Sequence, residues 1–133
     1  MRKLVFALLL CIVPVAAELI LDYLLYYVEG EPDNHIFTAG FRVAFMISIS
    51  LLNDTVKKWQ SLLLTFGFHL LWFPILYNLL ILHQPFDYIG TTAWTDRVEQ
   101  QIRDIITTPG VLFIKLAVFG SAVKFYINTK IYG

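Results

Sequence analysis

The segment "MRKLVFALLLCIVPVAAELILDYLLYYVEG", Met1–Gly30, decides the fold. After Arg2 and Lys3 it is apolar from Leu4 to Val28, and only Glu18 and Asp22 introduce charge. A helix rises about 1.5 Å per residue, so roughly 20 apolar residues cross the hydrocarbon core of a bilayer. This run is long enough. Its start also has the form of a secretory leader, with a basic head, an apolar centre and Val15-Ala16-Ala17 in the place of a cleavage site. The apolar pattern continues through "LILDYLLYYV", however, which favours a retained first span over about residues 4–28.

The rest of the chain agrees with that reading. Of its 133 residues, 58% are hydrophobic, 16% aromatic and only 15% charged, whereas a soluble domain carries about 25% charged residues. The ten basic and ten acidic residues cancel, which argues against a nucleic-acid partner. Cys11 is the only cysteine, so it reads as a small buried hydrophobe. Further apolar runs at 36–52, 60–83 and 110–128 complete a set of four spans. The expectation is an all-α integral membrane four-helix bundle, one transmembrane domain over residues 1–133 with the lipid bilayer as its partner.

Basic residues set the orientation. Arg2 and Lys3 precede the first span, Lys57 and Lys58 separate the second and third, and Lys130 follows the fourth. The loop containing Glu29, Glu31 and Asp33 has no Lys or Arg. Both termini are therefore expected on the cytoplasmic side, in a bacterial inner membrane. Between spans three and four, "TDRVEQQIRDII" places Val98, Ile102, Ile105 and Ile106 on one helical face. Thr95 is its N-cap, and Pro109-Gly110 is expected to separate it from the last span. This amphipathic helix, about 95–107, is too polar to cross and is expected on the outer membrane surface, with Phe86, Tyr88 and Trp94 at headgroup level. The alternative is a soluble helix capping the bundle.

Glu18 and Asp22 lie one turn apart on one face. By depth they share the outer half of the bundle with Arg42, Asn78 and Lys115. Charges inside a membrane usually face the interior and pair. The two acids are expected to neutralise Arg42 and Lys115, either with Asp22 the principal partner of Arg42 or with both acids sharing the cations. His69 lies near mid-membrane and offers either an interhelical hydrogen bond or a proton relay with Glu18. His69 and Asn78 fall on opposite faces of a regular helix at about 100° per residue, unless Pro74 kinks it between them. In span two, Gly40, Ala44 and Ser48 form a small-residue stripe of the kind that lets helices approach closely, and self-association through it is expected.

No nucleophile elbow, phosphate-binding glycine loop or zinc spacing is present, and His35 and His83 match no ligand signature. Neither catalytic residues, metal nor cofactor is expected. Asn53-Asp54-Thr55 matches a glycosylation sequon but falls on the cytoplasmic side.

"LYNLL" followed by "PFDYIGTTAWTDR" resembles a group of uncharacterised small multi-spanning membrane proteins encoded in bacterial and phage genomes. The residues that carry the resemblance are Tyr77, Asn78, Tyr88, Ile89, Gly90, Asp96 and Arg97; Glu18 and Arg42 fit the same pattern. The group often has an acid shortly before the Asn, where this chain has only apolar residues in "WFPILYN". The resemblance implies a membrane protein and carries no activity. Three functions are expected in descending order: a non-enzymatic interaction or structural component, a small transporter or proton/ion conductor using the polar cluster, and a phage-type membrane lesion former.

Overall fold

A computed structural model describes residues 2–25, 35–53, 58–89 and 94–131, without the side chains of 35–39, 53, 58, 94, 95, 130 and 131. The acidic loop of Glu29, Glu31 and Asp33, the Lys57-Lys58 turn, the sequon, Gly90, Lys130, and the side chains of His35, Trp94 and Thr95 lie outside this description.

The described residues are all helical apart from one short connection. Helix α1 covers Arg2–Tyr23, α2 His35–Asn53, α3 Lys58–Leu76 and α4 Trp94–Tyr126. Wider π-helical turns continue α3 over Tyr77–Ile81 and α4 over Ile127–Ile131. Three stretches, Arg2–Tyr23, Trp59–Ile81 and Asp96–Thr129, are long and apolar enough to cross a membrane; α2 contributes a shorter apolar stretch, Gly40–Leu52.

Helices α1, α2 and α3 all pack against one another, whereas α4 leans chiefly on α3. The α1 face that packs inward follows from its sequence. Leu4, Ala7, Cys11, Pro14, Val15, Glu18 and Asp22 are buried, a three-and-four spacing that keeps one stripe turned to its neighbours. At one end of the bundle Leu4, Ala7, Cys11, Leu64 and Tyr126 form an apolar cluster joining α1, α3 and α4. Pro14 sits inside α1 and Pro74 inside α3, each removing one backbone donor. The π turn that opens at Tyr77 follows Pro74 directly.

The α3–α4 seam is aromatic. Phe68 meets Phe119 edge-on at 5.8 Å, and Trp59 meets Phe125 at 4.9 Å. Gly67 lies at this seam, where a Cβ would stand 3.4 Å from both Ala122 Cβ and the Phe119 backbone, an ordinary contact.

The expected boundary between the amphipathic helix and the last span moves. The break falls at Thr107 (φ 65°, ψ 166°), two residues before Pro109. The physical reason is that proline is suited to the first turn of a helix, where its missing N–H costs no bond. Pro109 therefore opens the second arm of α4 instead of separating the arms. Gly110 lies close to the first arm, where an added Cβ would come within 3.3 Å of Ile106 Cβ.

Candidate functional site

Glu18 is the centre of the polar site. It is 0% exposed, and α1 delivers it into the seam where α2 and α3 meet. From α2, Arg42 Nε donates to Oε1 at 2.9 Å and Oε2 at 3.0 Å, and Nη2 donates to Oε1 at 2.5 Å. From α3, His69 Nε2 lies 2.6 Å from Oε2. One carboxylate thus ties three helices together. Beside an ionised Glu18, the Nε2 tautomer of His69 is the one that donates. Charge-assisted contacts of this length are the strong class of hydrogen bond.

Aromatic rings wall the site on α3. His69 stacks on Phe73 at 4.8 Å and Phe73 on Tyr77 at 5.5 Å, while the Arg42 guanidinium lies 5.1 Å from the Phe73 ring centre. The four-residue spacing of 69, 73 and 77 puts all three on one helical face. Asp22, 7% exposed, lies one turn beyond Glu18 on the buried stripe of α1.

The expected cluster is therefore only partly assembled. Glu18 and Arg42 meet, and Glu18 holds the multiple contact with Arg42 that was expected chiefly of Asp22. Extra reach does not explain this; Glu18 lies where α2 and α3 converge. Lys115 does not join Glu18 and Asp22. Its Nζ lies 2.9 Å from Glu99 Oε1 on the first arm of α4, because the break at Thr107 folds that arm toward the second. Arg103 completes this second network, with Nη2 donating to Glu99 at 3.4 Å and Nη1 to the Asp87 carbonyl at 2.5 Å.

Asn78 is buried but serves the connection instead of the cluster. Its Nδ2 donates to the carbonyls of Phe86 (3.1 Å) and Tyr88 (2.7 Å). The Gln84 N–H returns a bond to the Asn78 carbonyl at 2.9 Å. Asn78 and Arg103 thereby hold the 82–89 connection from α3 and α4. His69 and Asn78 are both buried without sharing a site, because the π turn after Pro74 changes the register between them.

The small-residue stripe has no packing partner among the described residues. Gly40, Ala44 and Ser48 are exposed, a Cβ on Gly40 would meet nothing within 4 Å, and Ser48 Oγ bonds back to the Ala44 carbonyl at 2.8 Å. The apolar face of the amphipathic arm is exposed too, with Val98 at 43%, Ile102 at 42% and Ile105 at 82%.

Sequence reasoning missed the hydroxyl residues below the triad. Thr65 Oγ1 donates to the Ser61 carbonyl at 2.8 Å and receives Ser50 Oγ at 3.3 Å and Cys11 Sγ at 3.7 Å. The available signal was the four-residue recurrence of Ser61, Thr65 and His69 in an otherwise apolar helix. Among the described residues, no group of His, Cys, Asp and Glu could hold a metal ion.

Comparison with protein-family models, curated proteins and solved structures finds no match.

Proposed function

We propose that this chain is a small polytopic membrane protein acting without catalysis, as an interaction or structural component, with the Arg42–Glu18–His69 triad as its internal brace. The chain crosses a bacterial inner membrane four times with both termini in the cytoplasm, α2 and the second arm of α4 serving as spans two and four. The first arm of α4 lies on the outer membrane surface. Its exposed Val98, Ile102 and Ile105 support that placement.

The observation that carries the structural reading is the closure of the triad: both oxygens of a fully buried carboxylate are engaged by side chains from two other helices. Interhelical polar contacts of this kind fix helix register inside membranes. Thermal melting in detergent tests the brace. Glu18→Gln lowers the melting temperature, and the triple replacement Glu18→Leu, Arg42→Met, His69→Phe recovers most of the loss, because no charge is then stranded. A single variant as stable as the parent sinks the reading.

A second reading, a small proton- or ion-conducting protein, is supported by the direct contact between two proton-exchanging groups, His69 and Glu18, at 2.6 Å.

A further inference from the structure

The buried polar side chains of the α1–α2–α3 core form one column instead of scattered pairs. Gln60 and Ser61, 2% and 0% exposed, stand at the start of α3. Ser61, Thr65 and His69 follow at four-residue steps on one face. Thr65 gathers Ser50 from α2 and Cys11 from α1. One turn further comes the His69–Glu18 contact, and one turn beyond Glu18 lies buried Asp22. The steps from Thr65 to His69 and from Glu18 to Asp22 each span about 6 Å of helical rise, so a continuous path requires a water molecule or a rotating side chain in each.

A brace accounts for groups that are bonded. It does not account for the head of the column, where Gln60 Oε1 and Ser61 Oγ are buried and have no hydrogen-bond partner among the described residues. Buried polar atoms of this kind are costly, and protein interiors ordinarily satisfy them with water. Two such atoms on consecutive residues at the start of α3 call for a hydrogen-bonding occupant.

We propose that this column is a proton path through the core, with water and hydroxyls leading to His69 and the His69–Glu18 contact as its relay. The path deepens the conducting reading above and rests on the bundle crossing a membrane. A proton arriving at the ring forms an N–H bond at Nδ1. The Nε2–H bond breaks, and its proton passes to Glu18 Oε2. Glu18 releases that proton toward Asp22, and the ring, now protonated at Nδ1, returns to the Nε2–H tautomer by proton exchange through water. One proton enters for each that leaves, and no electron moves.

The groups facing the relay fit this use. From α1 they are Glu18, Asp22 and, lower down, the Cys11 thiol; from α2, Arg42; from α3, Phe73 and Tyr77 beyond the ring. Lys115 of α4 is held by Glu99.

The test uses the purified full chain in phosphatidylcholine vesicles enclosing a pH-sensitive dye, with a potassium diffusion potential set by valinomycin as the driving force. Vesicles with protein acidify faster than empty ones, His69→Phe abolishes the difference, and Thr65→Val slows it several-fold while Thr65→Ser preserves it. Ser61→Ala is the decisive variant. Its hydroxyl has no partner among the described residues, so a brace predicts an unchanged protein and a path predicts several-fold slower flux. Flux equal to that of empty vesicles, or Ser61→Ala conducting like the parent, overturns the path. Melting reads the brace separately: a silent protein that still loses stability on Glu18→Gln overturns the path and leaves the brace standing.

Discussion

Glu18 on α1 and His69 on α3, 51 positions apart, meet at 2.6 Å with both side chains buried. Arg42, with 36% of its side chain exposed, approaches the same carboxylate from the more open side. The pair therefore joins two helices deep in the core, while the arginine adds the third from its edge.

This arrangement ranks the two acids of α1. Removing one partner of a buried charged pair costs about 3–5 kcal/mol. Glu18→Gln is expected to approach that range, and Asp22→Asn to cost less, because Glu18 holds the multiple contact with Arg42. Melting temperatures of the two variants, purified side by side, decide the order; equal losses would show that the acids share the cation.

Gly67 sets the distance between α3 and α4. Its added Cβ would stand 3.4 Å from Ala122 and Phe119, an ordinary contact, so Gly67→Ala is expected to be nearly neutral. Gly67→Leu must push α4 away and forfeit the Phe68–Phe119 contact, with a cost of about 1–3 kcal/mol for overpacking. A cysteine pair placed across the seam would report the separation as lost crosslinking in the leucine variant only.

Thr107 holds a backbone conformation, φ 65° and ψ 166°, that is essentially reserved for glycine. Such strain costs of order 1–3 kcal/mol. Thr107→Gly should relieve it and raise thermal stability, while Thr107→Val should not. A glycine variant that melts below the parent would show that the threonine side chain contributes more than the strain costs.

Topology is tested by reporter fusions. Fusions after Lys58 and at Gly133 should report cytoplasm, and fusions at Asp33 and Arg97 should report the outside. A cytoplasmic signal at Asp33 would remove α2 as a span.

Gly40 separates folding from association. Since nothing among the described residues lies within 4 Å of its Cβ position, Gly40→Leu should leave the melting temperature of the single chain unchanged. We propose that the stripe mediates self-association, so oligomer size in detergent should fall with this variant. An unchanged size would mean that the stripe meets lipid.

Much of the fold was legible because hydrophobic length is a local property. The apolar runs, the apolar face of 98–106 and the expectation that an acid of the first helix meets Arg42 all follow from spacing and from the cost of stranded charge in an apolar medium. The role of Asn78 was not legible. Its partners are backbone carbonyls of Phe86 and Tyr88, and carbonyls carry no sequence signal. Lys115 was misplaced for a different reason: depth along a helix was estimated, but the fold-back at Thr107, which brings Glu99 to it, depends on one backbone angle.

The sequence by itself determined an all-helical chain with long apolar helices, the inward stripe of α1 and the need for its acids to find cations. These follow from periodicity and from the energy of charge in hydrocarbon, which each segment carries alone. Only the tertiary structure decided that Glu18 takes Arg42, that His69 closes on Glu18, and that Ser61, Thr65 and Ser50 line up beneath them. Such choices depend on the rotation and relative height of packed helices. Those are set by ångström-scale features, among them the close approach at Gly67, the π turn after Pro74 and the break at Thr107, and they act between segments that no single stretch of sequence contains.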